Sequence, residues 1–94
     1  MLKLTFDDAG NLFLQGRFDA SQETAALEKF NCITDTVRVD FGKLEYISSA
    51  GIGVLIATQK RLMQNGHQLR LQNLNPHIAE IFKYAGLDTI FSIE

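Results

Sequence analysis

One cysteine, one proline and no tryptophan occur among the 94 residues, and each shortage removes a class of protein. Cys32 alone cannot build an internal disulfide framework, which fits a reducing compartment, so the cytoplasm is the expected location. Runs of lysine or arginine are also missing, and the formal net charge is -2. A phosphate backbone would find no electrostatic footprint here, and nucleic acid is not an expected partner. The longest apolar run, Gly51 to Thr58, falls far short of the roughly 20 residues that cross a bilayer. No basic stretch followed by an apolar one opens the chain, so neither a signal peptide nor membrane insertion is expected.

Chemistry-bearing clusters are equally scarce. His67 and His77 have no cysteine or glutamate at ligand spacing; both read as surface histidines, and no metal is expected. Cys32 has no histidine close to it in the chain and reads as a buried or half-buried thiol instead of a nucleophile. No set of Ser, His and Asp roles can be picked out. The chain is therefore expected to work without catalysis and without a cofactor.

What is present is a core. The chain is 46% hydrophobic, with seven phenylalanines and scattered charges, which predicts one domain over residues 1–94 that folds by itself. Leu2, Leu4 and Phe6 alternate with Lys3 and Thr5 as in a strand. After the turn formers Asp8 to Asn11, Leu12 and Leu14 resume the alternation, so the first two strands should form a hairpin. Ser21 is placed to cap a short helix that carries Leu27 and Phe30. Val37, Val39 and Phe41 predict a third strand running to a turn at Gly42-Lys43-Leu44-Glu45.

From Ile52, apolar residues at Leu55, Ile56, Leu62 and Met63 oppose Thr58, Lys60, Arg61 and Gln64, the pattern of an amphipathic helix ended by Asn65-Gly66. Gln68 to Gln72 alternates as a strand. Asn75-Pro76 then caps and starts a helix that runs through Ile78, Ile81, Phe82 and Ala85 to Gly86. Ile90 to Ile93 closes the chain as a short strand. This order predicts an α/β fold with a mixed sheet: an N-terminal antiparallel hairpin, then parallel crossovers, with helices mainly on one face.

The stretch Tyr46-Ile47-Ser48-Ser49-Ala50-Gly51-Ile52-Gly53 gathers small and polar residues at the start of the strongest helix. Free backbone N–H groups and the helix dipole favour negative charge there, so a phosphate on Ser49 would be tolerated by the fold while adding about -1.5 to -2 charges at a docking surface. Serines at a helix start are also the ordinary means of capping it, and Gly51-Ile52-Gly53 is too short for a phosphate-cradling loop.

At these residues the sequence resembles a STAS domain, the module of anti-sigma-factor antagonists and of sulphate-transporter tails. Setting Gly51-Ile52-Gly53 on the family's Gly-Leu-Gly places Ser49 at the serine that partner kinases phosphorylate. Gly16-Arg17-Phe18-Asp19, Val37 to Phe41, and Ala85-Gly86-Leu87-Asp88 with Phe91 are similar to three further family segments, so the resemblance covers nearly the whole chain. It implies partner switching, in which the bare protein binds an anti-sigma factor that is also a serine kinase, and a serine phosphatase reverses the modification. Ser49 is then the acceptor, and Asp19, Ser48, Ala50, Gly51 and Ile52 form the partner-binding surface. Ser48 replaces the aspartate of many relatives, which leaves the choice between Ser48 and Ser49 open, and Ala50 removes a competing hydroxyl. The sequence stops before the last helix of many relatives, implying that apolar cover there is absent or comes from a partner. The same pattern accommodates a second role, in which the surface docks constitutively as a scaffold subunit of a transport or signalling assembly.

Overall fold

A computed structural model describes residues 2–94. The elements are β1 (Lys3–Phe6), β2 (Leu12–Phe18), a 3-10 turn (Ala20–Gln22), α1 (Glu23–Phe30), β3 (Val37–Ile47), α2 (Ser49–Met63), β4 (Leu69–Gln72), α3 (Pro76–Tyr84), a second 3-10 turn (Leu87–Thr89) and β5 (Ser92–Ile93). The strands lie side by side in chain order in one sheet. β1 and β2 are antiparallel, and every later pairing is parallel. The mixed sheet expected from the alternation of elements is the one formed.

Strand order explains the layering. Each parallel crossover returns through a helix to the next position on the same side of its predecessor, and crossovers of one hand then stack all their helices on one face. Burial follows: Leu12, Leu14 and Phe18 of β2 are enclosed while Phe13 and Arg17 between them are exposed. Val39, Phe41, Leu44 and Ile47 of β3, Leu69 and Leu71 of β4, and Ile78 and Phe82 of α3 complete the core. Phe82 sits edge-on to Phe41 at 6.0 Å and tilted against Phe91 at 6.0 Å.

The hairpin turn is fastened by Asp7, whose carboxylate accepts from the amides of Ala9 and Asn11 and from the Asn11 side chain. At the other end, Asn75 accepts from the Ile78 amide at 2.9 Å with Pro76 in the first turn, as its sequence position predicts.

Several local expectations change. Ser21 does not cap α1: Asp19 caps the preceding 3-10 turn, and Ser21 donates to it through both its amide and its hydroxyl. No turn forms at Gly42 to Glu45, because β3 continues to Ile47 and absorbs extra residues as irregularities in its register with β2. Thr58, assigned to the polar side of α2, is buried, as is its neighbour Gln59, and Met63 is exposed. Thr58 is tolerated inside because its hydroxyl donates to the Val54 carbonyl at 2.8 Å. Cys32 is exposed, since Phe30 and Ile33 on either side of it take the inward positions of this loop. Phe6, at the end of β1, is also largely exposed.

Candidate functional site

β2 and β3 end together. Their parallel register sets Phe18 beside Ile47, and the Ser48 amide donates to the Phe18 carbonyl at 2.8 Å. The next residues, Asp19 and Ser48, therefore leave the sheet next to each other, one into the first 3-10 turn and the other into α2. This juxtaposition makes one compact surface from two residues 29 positions apart in the chain.

Ser48 is the N-cap of α2. Its extended backbone (φ -87°, ψ 170°) turns the side chain back so that Oγ accepts from the Gly51 amide at 3.1 Å, while its carbonyl accepts the first helical bond from Ile52. That hydroxyl is half-buried and already employed. Ser49 is the first helical residue and is exposed; Ala50 and Ile52 are half-buried. The helix thus presents a free hydroxyl at the end where backbone N–H groups favour an anion.

Gly51 is enclosed. A Cβ built on it would meet Ile47 Cγ1 at 2.9 Å and the Phe18 ring at 3.0 Å, so its contribution is to let α2 begin tight against the ends of β2 and β3. A side chain here has to push one of two core residues away. Gly51→Ala is expected to lower stability by about 1–3 kcal/mol, the usual cost of overpacking, and thermal unfolding followed by circular dichroism measures it.

Asp19 holds a negative charge beside this helix start. Its carboxyl lies below the usual carboxylate value, chiefly because the Ser21 hydroxyl donates to it, helped by the Ser21 amide and the nearby Arg17 guanidinium. Asp7 is lowered likewise by the Asn11 amide and side chain. Both favour the ionised folded form, so their contribution to stability is present above the unfolded value near 3.8 and fades as pH falls through the lower folded values. Carbon-detected titration is expected to give both carboxyls midpoints below 3.8.

Sequence reasoning missed one neighbour of this surface. The Arg17 guanidinium lies 4.4 Å from the centre of the Tyr46 ring, pairing a cation with an aromatic face just before the two chain ends turn out of the sheet. The available signal was Arg17 two residues before Asp19 and Tyr46 two before Ser48, which parallel register turns into a contact. The other residues expected to carry chemistry lie elsewhere. His67 accepts from the Thr36 amide at 3.2 Å and faces Asp35, Cys32 lies in the loop before β3, and His77 is in the first turn of α3. Among the described residues no group of three or more His, Cys, Asp or Glu is arranged to hold a metal, and no helix is long and apolar enough to cross a membrane.

Comparison with known proteins adds relatives to this geometry. A family model described as "Mlab, STAS domain" matches residues 4–93. BtrV of Bordetella bronchiseptica is 42% identical over 57 residues, which is 61% of this chain and 49% of that one, so the chain spans about half the length of that relative. The anti-sigma-B factor antagonist of Listeria monocytogenes is 30% identical over 88 residues, covering 89% of this chain and 77% of that one. In structure, the Bacillus cell fate determinant SpoIIAA in its phosphorylated form superposes with a TM-score of 0.72 at 18% identity, covering 100% of this chain and 91% of the other. From β1 to β5 the chain belongs to the STAS domain family, among relatives that include anti-sigma factor antagonists.

Proposed function

We propose that this protein is a phosphorylation-controlled anti-sigma factor antagonist of the cytoplasm, that Ser49 is its phosphate acceptor, and that its partner is an anti-sigma factor with serine kinase activity. A serine phosphatase would return it to the bare form. The observation that carries this reading is the exposed hydroxyl of Ser49 on the first residue of α2, next to a Ser48 hydroxyl already committed to the Gly51 amide. Of the two adjacent serines, Ser49 is then the acceptor, since modifying Ser48 would remove the helix cap.

Docking would use Ser49 with Asp19, Ser48, Ala50 and Ile52, over a backbone held close to the core by Gly51. Phosphate at Ser49 is compatible with the fold, because charge at a helix N-terminus is favoured by about 0.3–1 kcal/mol. Toward a partner the effect reverses: about two added negative charges beside the Asp19 carboxylate must be desolvated or opposed in the complex. The switch needs no change of backbone. The relationship to the Listeria anti-sigma-B factor antagonist and the existence of a phosphorylated SpoIIAA structure support the reading.

The test is labelling with ATP and an anti-sigma factor kinase, with the modified residue located by mass spectrometry. Wild type is expected to take one phosphate at Ser49 and Ser49→Ala none, while Ser49→Asp binds the kinase about tenfold more weakly or worse, a loss of about 1.4 kcal/mol. Equal labelling of Ser49→Ala and wild type rejects the proposal. A second reading, constitutive docking as a scaffold subunit of a transport or signalling assembly, is favoured by the neutral Ser48 at the position where many relatives carry aspartate. Partner affinity unchanged by stoichiometric phosphorylation would select it.

A further inference from the structure

The face of the sheet away from the helices contains a hollow that the docking surface does not use. Register sets Thr5, Phe13, Asp40 and Gln72 in one row across β1 to β4, and Lys3, Gln15 and Lys43 in the next. Between Phe13 and Gln15, β2 advances two residues while β3 advances three, from Asp40 to Lys43. That irregularity parts the rows, and Gly42 puts no side chain into the gap. A Cβ on Gly42 would stand 2.9 Å from Asp40 Oδ1. The resulting cleft has a volume of about 540 Å³ and is lined by Thr5, Phe13, Gln15, Asp40, Gly42 and Lys43 together with Leu14. Small-molecule sites commonly fall between about 300 and 1,000 Å³.

The charges in this cleft are not equivalent. Asp40 is fully engaged: its carboxylate accepts from the Gly42 amide at 2.7 Å, the Asn73 side chain at 2.7 Å and the Gln72 side chain at 3.4 Å. Lys43 is exposed and has no carboxylate within ion-pair distance among the described residues, whereas Arg38 and Arg70 on the same face share Glu94. Among the residues lining the cleft Lys43 supplies the one ammonium; Lys3, in the same row beyond Gln15, is not a lining residue. Beside it stand a hydroxyl (Thr5), an amide (Gln15) and the Phe13 ring, an aromatic side chain left 39% exposed in the interior of a sheet.

We propose that the cleft between β1, β2 and β3 is a binding site for a small organic monocarboxylate with a flat apolar body, its carboxylate on Lys43 and its body against Phe13. Thr5 and Gln15 supply further hydrogen bonds at the rim. One lining cation next to a fixed carboxylate suits one negative charge, because the Asp40 carboxylate repels the several charges of a nucleotide phosphate.

The probe is 2-naphthoate, with uncharged 2-naphthamide as its match in shape, each titrated into nitrogen-15-labelled protein and followed by amide chemical shifts. Naphthoate is expected to give saturable shifts at Thr5, Phe13, Gln15, Gly42 and Lys43 with a Kd below about 1 mM. Lys43→Gln should weaken naphthoate at least about fivefold, naphthamide should bind wild type that much more weakly than naphthoate, and Phe13→Ser should abolish saturation. The amide comparison needs no mutation, so the test stands even if Phe13→Ser fails to fold. Shifts that do not saturate by about 5 mM, that map to another face, or that are indifferent both to Lys43→Gln and to the ligand's charge overturn the proposal.

Discussion

Replacing Phe82 with alanine is expected to cost about 3–5 kcal/mol of folding stability, the range for deleting a buried aromatic ring. Phe82 is wholly enclosed and lies between Phe41 of β3 and Phe91 ahead of β5, so it joins α3 to both. Its removal leaves a cavity and breaks two aromatic contacts, each adding about 0.5–1.5 kcal/mol beyond the area they bury. A domain of this size has only about 5–15 kcal/mol in total, so the variant should melt more than about 10 °C below wild type. Phe82→Leu, which fills most of the space, should recover much of the loss. Calorimetry on the pair checks the claim, and a Phe82→Ala Tm within a few degrees of wild type would mean that α3 is not held by this trio.

Replacing Gln59 with leucine is the second large effect, and it arises from hydrogen bonding instead of volume. Gln59 is 1% exposed, yet its amide donates to the Ile90 carbonyl at 2.8 Å and accepts from the Leu69 amide at 2.7 Å. One side chain on α2 thus satisfies the start of β4 and the loop before β5. Leucine keeps the bulk and abandons both backbone groups, each costing about 1–3 kcal/mol when left unpaired inside, so a loss of about 2–6 kcal/mol is expected in denaturant unfolding. Gln59→Glu separates this from packing by its pH dependence. A protonated glutamic acid can make both bonds and the ionised form cannot, so burial raises its folded pKa above the unfolded value of about 4.3. That contribution is fully present below about pH 4.3 and is lost as pH rises through the raised value. A Gln59→Glu variant equally stable at pH 4 and pH 8, relative to wild type, would contradict the assigned bonds.

Both predictions rest on residues whose roles were unequally legible. Phe82 follows Ile78 by four positions on a helix whose start is marked by Asn75-Pro76, so its inward position could be read directly. Gln59 is polar, next to Thr58 and Lys60, and a pattern based on hydrophobicity assigns it outward. What buries it is the fit of its amide to two backbone groups supplied by β4 and by the segment before β5, and neither is visible from α2 alone. Met63, apolar yet exposed, is the last residue of α2, one position past the buried Leu62.

The Gly42 to Glu45 segment shows how sequence punctuation is outvoted. Glycine and charge suggest a turn, but Leu44 and Ile47 have core positions to fill, and β2 offers a partner to Phe18. Continuing the strand with two extra residues, one at each register shift against β2, buries both side chains, whereas a turn at Gly42 would withdraw them. The first of these irregularities, between Phe13 and Gln15, is also the one beside the cleft.

By itself the sequence determined the order of strands and helices, the antiparallel start, the start of α3 at Asn75, and the Ser48-Ser49 stretch as one to examine, because caps, alternation and helical periodicity act over a few residues; the structure chose Ser48 as the α2 cap. Tertiary structure alone decided that Asp19 and Ser48 emerge side by side, that Gly51 packs inward, that Arg17 covers Tyr46, and that Gln59 is enclosed. Each of these depends on which strands become neighbours and in what register, and that is set by packing the whole apolar set into one core at once.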